Sequence, residues 1–524
     1  SALFLLSALA VLSVAQVPTG GVRGKIKDQA DAVVSGAKIT VISKETGAER
    51  TITSKSDGEY QITNLQPGEY EVKVAASGFK TALSPIVVQV GDNVTVEFKL
   101  EVGAANETVV ITSETPAINT ADFKIDGVVN RKQIENLPLN GRNFLQLAML
   151  EPGVSVEAVD NPGTSPNNFF RVSIAGASQA MTRISVDGAT INDRVTGGTS
   201  QNFSQETVQE FQISTFNFDP STSVTGVGSV NVVSRSGSNE FHGSAFFYFR
   251  DHNMSAYPSL QRDPRRFANP KLNDPFFARR QGGGSIGGPI KKDKVFFFFN
   301  VENNNQKGVV PVANNNPIFS QFDSAPQTPL EARQANFKLD YRHNEKHSGF
   351  FRFSTDNNDN YNTANGIFLP SNWVATNNVS TQGLVGVTSV FSQNVVNDVR
   401  YSYGYYGGRL KIPTTENCTD PTLCLGLGGV QYRTTVGNFV IGNNLNTPQN
   451  RILRTYQLTD TLSWQKGSHR IRVGGEWEHF YGKGSWEYIK PAIVVLWDPA
   501  HLLQFVGATG GVNSPFFPLY NGLP

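Results

Sequence analysis

Short polar turns and long connections alternate along the second half of this chain, and this alternation limits the folds open to it. The short turns lie at residues 291–293, 343–347, 392–394 and 465–468, between strand-like segments. The long, asparagine-rich connections span residues 251–279, 303–333, 357–378 and 408–454. A soluble sandwich has no reason to put all its long loops on alternate connections. An up-and-down β-barrel in an outer membrane does, because its periplasmic turns are short and its outside loops are long.

The strand-like segments alternate between apolar and polar side chains, as membrane strands do. In residues 470–480, Ile471 and Val473 fall on one face, whereas Arg472 and Glu476 fall on the other. A charged side chain at mid-bilayer costs roughly 2–4 kcal/mol, so the charged face is expected to point into the barrel. The same alternation is found in residues 336–342 and 395–405.

One strand departs from this pattern. Residues 295–301 are apolar on both faces, with Phe296 and Phe298 opposite Val295, Phe297 and Phe299. A water-filled interior would not favour a second apolar face. The departure therefore predicts that protein fills the barrel.

Composition and the first residues add two expectations. The chain carries 45 basic and 44 acidic residues and no basic patch, so nucleic acid is not an expected partner. Residues 1–15 form an apolar run that ends in small residues, Ser13 and Ala15, before Gln16. This pattern is typical of a signal peptide and its cleavage site, here without a basic start.

The N-terminal part predicts a small β-sandwich. Short β-rich runs between residues 20 and 100 are separated by the turn signals Ser56-Asp57-Gly58 and Gln66-Pro67-Gly68. The residues around Gly24, Gly36-Ala37, Asp57–Tyr60 and Leu65–Tyr70 resemble those of the carboxypeptidase regulatory-like domain. The resemblance implies a transthyretin-like, carbohydrate-binding-like sandwich over residues 17–101, an accessory domain without peptidase chemistry.

The middle segment has mixed character. Residues 129–150 look helical in two pieces split by Pro138, and short strands are expected near residues 170–175, 183–187, 208–215 and 226–234. The runs Asn136–Asn143, Ser185–Gly188 and Val230–Gly237 resemble the plug domain of TonB-dependent outer-membrane receptors. The resemblance implies an α+β plug over residues 117–236, joined to the sandwich by a linker at residues 102–116.

The barrel segment carries its own resemblance. Residues 239–245, 287–293 and 295–299 closely resemble the Oar-like branch of these receptors. The resemblance implies a mostly β protein whose residues 237–524 form the first part of a transmembrane antiparallel barrel, which closes in this family with about 22 strands. About nine strands are expected before Pro524, so we interpret the chain as a fragment.

Three enzyme-like or metal-like patterns are weak. Gly282–Gly287 fits both G-x-G-x-x-G and G-x-S-x-G, but a turn and not a helix follows it. His343 and His347 flank a turn, where they share no helical face. Asp356–Asn360 lacks the glycine and the glutamate of a calcium loop, so a solvated outside loop is expected. The sequence predicts no enzyme, no cofactor and no metal site.

Cys418 and Cys424 lie close together inside a long connection. In an oxidising compartment a short disulfide loop is favoured over two free thiols. The pair is therefore a disulfide candidate.

One segment has a predicted partner. In the resembling family, the stretch just ahead of the plug is the TonB box, an extended segment that adds as a strand to an inner-membrane energy-coupling protein. A flexible, β-prone segment meets the needs of strand addition. The alternatives are a last strand of the sandwich or a plain linker. The predicted box comprises Glu107, Thr108, Val109, Val110, Ile111 and Thr112.

The resemblance implies a receptor in the outer membrane of a Gram-negative bacterium, with its N-terminal domains in the periplasm. It would contact outer-membrane lipid and the TonB protein and would import a bulky ligand such as a siderophore or a glycan. Ligand contacts are expected in plug loops such as residues 192–201 and barrel loops such as 251–279. The alternative is a structural or adhesive outer-membrane protein that binds glycans or surfaces without import.

Overall fold

The computed structural model describes most of the chain in three parts. The described residues are 19–104, 108–110, 126–158, 169–194, 196–215, 225–254, 276–312, 322–362, 368–411, 431–434, 440–442, 444–445, 447–466, 469–487 and 493–496. The predicted signal peptide and the two cysteines lie outside these residues. Among the described residues, no helix is long and apolar enough to cross a bilayer.

The first part is the predicted sandwich. One sheet has the order β4-β1-β7 with β8 also beside β1, and the other has the order β3-β2-β5-β6-β9. Alternate side chains of both sheets, such as Val22, Ile39, Val72 and Phe98, meet in one core. The strands are β1 (Gly20–Asp28), β2 (Lys38–Ser43), β3 (Glu49–Thr53), β4 (Glu59–Leu65), β5 (Gly68–Ala75), β6 (Thr81–Val88), β7 (Asn93–Thr95), β8 (Phe98–Leu100) and β9 (Thr108–Val110).

The second part, which we call the plug, is a mixed sheet with helical turns on it. Its elements are β10 (Asp126–Val129), α1 (Arg131–Asn136), β11 (Val154–Ala158), β12 (Phe170–Ile174), β13 (Thr182–Val186), β14 (Ala189–Thr190), β15 (Val208–Ser214) and β16 (Gly228–Ser234), with 3₁₀ helices at Phe144–Leu150, Gln179–Met181 and Gln205–Thr207. The main sheet has the order β10-β15-β16-β13-β14, and β11 pairs with β12. Phe144, Phe211 and Val230 lie in its core.

The helical prediction for residues 129–150 is confirmed only in part. Helix α1 has just six residues and begins at a capping box formed by Asn130 and Gln133. After Pro138 the chain forms a 3₁₀ helix, capped by the side chain of Asn143. The predicted break at Leu137-Pro138 is thus correct, but neither piece is a long α-helix.

The third part, which we call the wall, is an antiparallel sheet of nine strands within the described residues, each next to the one before it. Its strands are β17 (His242–Asp251), β18 (Phe277–Lys291), β19 (Val295–Val309), β20 (Gln327–Arg342), β21 (His347–Asn362), β22 (Val374–Ser392), β23 (Val395–Lys411), β26 (Gln449–Lys466) and β27 (His469–Trp486). Shorter elements are β24 (Gln431–Thr434), β25 (Val440–Gly442) and β28 (Ile493–Leu496), which form a separate sheet, and 3₁₀ helices at His252–Met254 and Pro370–Asn372.

The two faces of the wall are as the sequence predicts. Cross-strand register aligns Phe299, Phe337 and Phe353 in a row on the outer face, where Phe299 and Phe353 are exposed and Phe337 is partly exposed. Their neighbours Phe298 and Arg352 are buried on the inner face, against the plug. The filled interior predicted from residues 295–301 is therefore confirmed.

The predicted lengths of the strands and outside connections are wrong. Most wall strands have 15–19 residues, because the ladder continues into the asparagine-rich segments. Asn303 pairs with Arg333, and Asn357 pairs with Val379. Main-chain hydrogen bonds need no apolar face, so a strand extends past the bilayer where its side chains are polar. Asp356–Asn360 likewise lies in β21 and not in a solvated loop.

Candidate functional site between plug and wall

A tight turn of the plug carries a buried carboxylate to the wall. Asp187 and Gly188 connect β13 to β14, and both have positive φ angles (49° and 86°), as a two-residue hairpin of type I′ requires. The Asp187 carboxylate lies 3.0 Å from Arg352 and 3.9 Å from Lys338, both on wall strands. We call these three residues, together with Ser234, the Asp187 cluster.

Ser234 completes the cluster from within the plug. Its amide and its hydroxyl donate to the two carboxylate oxygens of Asp187, at 2.9 and 2.6 Å. Burial alone would raise the pKa of Asp187, but the charges of Lys338 and Arg352 and the Ser234 hydrogen bonds outweigh burial and hold that pKa below its usual value. Asp187 is therefore an anion that fixes the plug turn to two cations of the wall.

A second carboxylate collects three guanidinium groups of the plug. Glu206 lies 3.2 Å from Arg131, 3.0 Å from Arg142 and 3.3 Å from Arg235. The wall supplies a further contact to Glu206, because the hydroxyl of Ser244 donates a hydrogen bond to its carboxylate at 2.9 Å. Burial would raise the pKa of Glu206, but these partners, Arg131 foremost, lower it below its usual value. We call these five residues the Glu206 cluster.

The Asn136–Asn143 run serves this second cluster. Gly141 and Arg142 both have positive φ angles (89° and 59°), so the chain turns sharply and points Arg142 at Glu206. Next to it, Asn140 accepts a hydrogen bond from Arg279 of the wall at 2.8 Å. The Arg142 guanidinium also stacks 3.9 Å from the ring centre of Phe246 on β17.

A third set of ion pairs joins the plug to the last described long strand. Arg183 on β13 lies 2.8 Å from Glu476 and 3.2 Å from Glu478 on β27. Arg194 lies 2.8 Å from Glu478 as well. The partners are almost 300 residues apart in sequence, and sequence analysis gave no signal that pairs them. Wall strands β20, β21 and β27 thus hold the plug by buried ion pairs.

A cavity of about 240 Å³ lies between the plug and the wall, away from the short turns. On the plug side it is bounded by the predicted ligand loop, including Asn192, Arg194 and Gln201. The wall side includes four aromatic residues, Tyr405, Tyr406, Phe480 and Tyr481. Arg194 lies 5.1 Å from the ring centre of Phe480. The other predicted ligand region, residues 251–279, is described only at its ends.

The predicted TonB box lies in part within the described residues. Thr108, Val109 and Val110 form strand β9, which pairs in parallel with Thr81, Ala82 and Leu83 of β6 at the edge of the sandwich. This is the geometry of the alternative named above, a last strand of the sandwich. Glu107, Ile111 and Thr112 fall outside the described residues. Which role the strand has stays a prediction.

The sandwich rests on both the plug and the wall at the short-turn end. The backbone carbonyl of Glu45 accepts from the Asn239 amide at 2.9 Å, and that of Gly47 accepts from Arg342 at 3.2 Å. The loop after β6 meets the plug, where the Val90 amide donates to the carboxylate of Glu210. Gly91 (φ 73°) packs against the side chain of Gln212.

The Glu210 contact predicts a pH dependence. Burial raises the pKa of Glu210 to about 7, and the nearby Asp92 carboxylate adds to this, while the Val90 hydrogen bond acts against it. Because the folded pKa lies above the ordinary value of 4.5, this group favours docking at low pH, and that contribution is lost as the pH rises through about 7. The thermal midpoint of the protein should therefore decrease when the pH is raised from 5.5 to 8.5. In the Glu210→Gln protein the thermal midpoint should decrease less over this pH range. An equal decrease in the parent and the variant would contradict the role given to Glu210.

The structure shows where the weak enzyme-like and metal-like patterns of the sequence lie. Gly282–Gly287 lies inside β18, whose neighbours are strands, so the strand-to-helix turn of both enzyme patterns does not form there. His343 and His347 flank a tight turn, as predicted. Within the described residues, no group of three or more His, Cys, Asp or Glu side chains has the arrangement of a metal site.

Comparisons with known proteins agree with this architecture. A family model described as an outer membrane β-barrel domain matches residues 233–310 and 307–486, and the carboxypeptidase regulatory-like domain matches residues 21–101. The TonB-dependent transporter Oar of Myxococcus xanthus is 28% identical over 270 residues, which is 49% of this chain and 24% of that protein.

A solved structure shows the same fold. The outer membrane transporter YddB from Escherichia coli superposes with a TM-score of 0.53 at 11% identity, over 71% of this chain and 50% of that one. The chain thus spans half or less of the length of these relatives, both of which are described as transporters. The chain is a homologue of the TonB-dependent transporter Oar, with a carboxypeptidase regulatory-like domain and a β-barrel domain in the outer membrane of a Gram-negative bacterium.

Proposed function

We propose that this chain is part of a TonB-dependent receptor that imports a bulky ligand across the outer membrane. The observation that carries the proposal is a plug held to the inner face of a lipid-facing wall by buried ion pairs. Such pairs hold a plug closed, yet they can be broken and re-formed without covalent change. The energy for breaking them would come from the inner membrane, through a segment that leads into the plug.

The cavity beside residues 192–201 is the proposed ligand site. Its aromatic rings offer stacking surfaces, its amides offer paired donors and acceptors, and Arg194 offers a cation. A polyhydroxylated or catechol-bearing ligand, such as a glycan or a siderophore, uses all three kinds of contact. Because Arg194 also pairs with Glu478, a ligand anion at this cation would compete with an ion pair that holds the plug.

The proposed coupling segment is Glu107–Thr112. Its central residues already form a strand, so this part of the chain can adopt the extended backbone that strand addition needs. It lies ahead of the plug in sequence, and it pairs with the domain at the short-turn end of the wall.

A proline in this strand tests the proposal. Val109→Pro removes a main-chain donor and should weaken capture of the purified periplasmic domain of TonB by at least about tenfold, since main-chain bonds provide the affinity of strand addition. Val102→Pro is a matched control, because Val102 is an exposed residue (70%) in the same linker but outside the segment. Equal capture of the Val109→Pro and parent proteins would remove the coupling assignment.

The adhesive alternative gives a different result in whole cells. An adhesin retains ligand at the surface when the proton gradient is collapsed and when Val109 is replaced by proline. A TonB-dependent transporter loses ligand accumulation in both conditions. A screen of fluorescent oligosaccharides and ferric siderophores would supply the ligand for this comparison.

A further inference from the structure

Strand β9 is already paired with another strand of its own chain, β6. Its three residues pair in parallel with the edge of β6, at Thr81–Thr108, Ala82–Val109 and Leu83–Val110. The sandwich sheet ends there, in the order β3-β2-β5-β6-β9. The segment that should bind TonB is therefore already bound, within its own chain, by the same kind of contact.

We propose that the β6 edge of the sandwich is the resting site of the coupling strand, and that TonB must take the strand from it. The inference rests on the proposed function. The main-chain groups of β9 that face β6 cannot pair with a second strand at the same time. The sandwich thereby acts as an internal competitor, which lowers the affinity of TonB for the resting receptor.

The sandwich is well placed for this role because it contacts both the wall and the plug. Gly47 accepts a hydrogen bond from Arg342 of the wall, so the domain is held against the short turns of the wall. Strand β6 leads directly into the loop of Val90, whose amide donates to Glu210 on plug strand β15. One strand therefore connects the coupling segment to the plug sheet.

A disulfide across the strand pair tests the resting site. Val110 is 64% exposed and lies opposite the partly exposed Leu83, so oxidant and reductant can reach a Leu83→Cys/Val110→Cys pair from the side of Val110. The pair is made in the intact receptor with Cys418→Ser and Cys424→Ser, which prevents other pairings. A Val87→Cys/Val110→Cys protein is the control, because Val87 is exposed on the same strand but lies opposite Glu69.

The measured quantity is the affinity of each receptor for the purified periplasmic domain of TonB. We expect the Leu83–Val110 pair to cross-link and its oxidised form to bind at least tenfold more weakly than its reduced form. The control pair should not cross-link, and its affinity should not respond to oxidant.

The other results overturn the inference in distinguishable ways. If the pair cross-links and the oxidised receptor binds as tightly as the reduced one, the resting site does not compete with TonB, although a loss of binding in Val109→Pro would still support the coupling segment. If no cross-link forms, the strand does not rest on β6. If Val109→Pro binds TonB like its parent, the coupling segment itself is wrong, and this inference fails with it.

Discussion

Replacing Asp187 by asparagine should lower the free energy of unfolding by about 3–5 kcal/mol, the cost of removing one partner from a buried ion pair. Asparagine keeps the shape and one acceptor, but Arg352 loses its ion-pair partner and Lys338 loses one nearby carboxylate. Arg352 is fully buried, so water does not replace the lost partner. Chemical denaturation of the purified protein in detergent measures the change, and protease cleavage in the plug reports its release from the wall.

An exposed pair provides the control for this result. Glu331 lies 3.3 Å from Arg333, but the two side chains are 49% and 73% exposed. Glu331→Gln should change the free energy of unfolding by less than about 1 kcal/mol, as exposed ion pairs do. Similar values for the Glu331 and Asp187 variants would mean that the Asp187 cluster does not hold the plug.

Replacing Glu206 by glutamine should have an effect of similar size for a different reason. Three guanidinium groups then face one another without the carboxylate that holds them together. We expect a loss of about 3–5 kcal/mol in the free energy of unfolding. The same denaturation experiment measures it.

A second substitution makes the Glu206 prediction specific. Arg235→Gln removes one of the three cations, so the protein with both changes should be more stable than Glu206→Gln alone. In a cluster held together by shape and not by charge, the second change would lower stability further. That outcome would contradict the electrostatic account of the Glu206 cluster.

Much of this fold follows from local patterns. Inner and outer faces of the wall can be assigned from alternation, because a charged residue such as Arg472 is excluded from lipid by the cost of its transfer. The Asp187-Gly188 turn is readable as well, since few residue pairs accept two positive φ angles. The filled interior could be predicted because residues 295–301 are apolar on both faces, with Phe296 and Phe298 on the face opposite Phe297 and Phe299.

The plug–wall contacts could not be predicted in this way. Arg183 and Glu476 meet only because the whole fold brings β13 and β27 together. The sequence around either residue does not identify its ion-pair partner. The extent of the strands was also misjudged, because Asn303 and Asn357 were expected in loops. Their pairing depends on the neighbouring strand and not on their own hydrophobicity.

Labelling from the lipid phase tests the central claim, that one face of the wall lies in the membrane and the other holds a plug. In a protein with Cys418→Ser and Cys424→Ser, single cysteines replace Phe353 and Tyr401 on the outer face, or their buried neighbours Ser354 and Ser402. A lipid-soluble thiol reagent should label the first two positions and spare the second two. Labelling of Ser354→Cys and Ser402→Cys with protection of the other two would contradict the account.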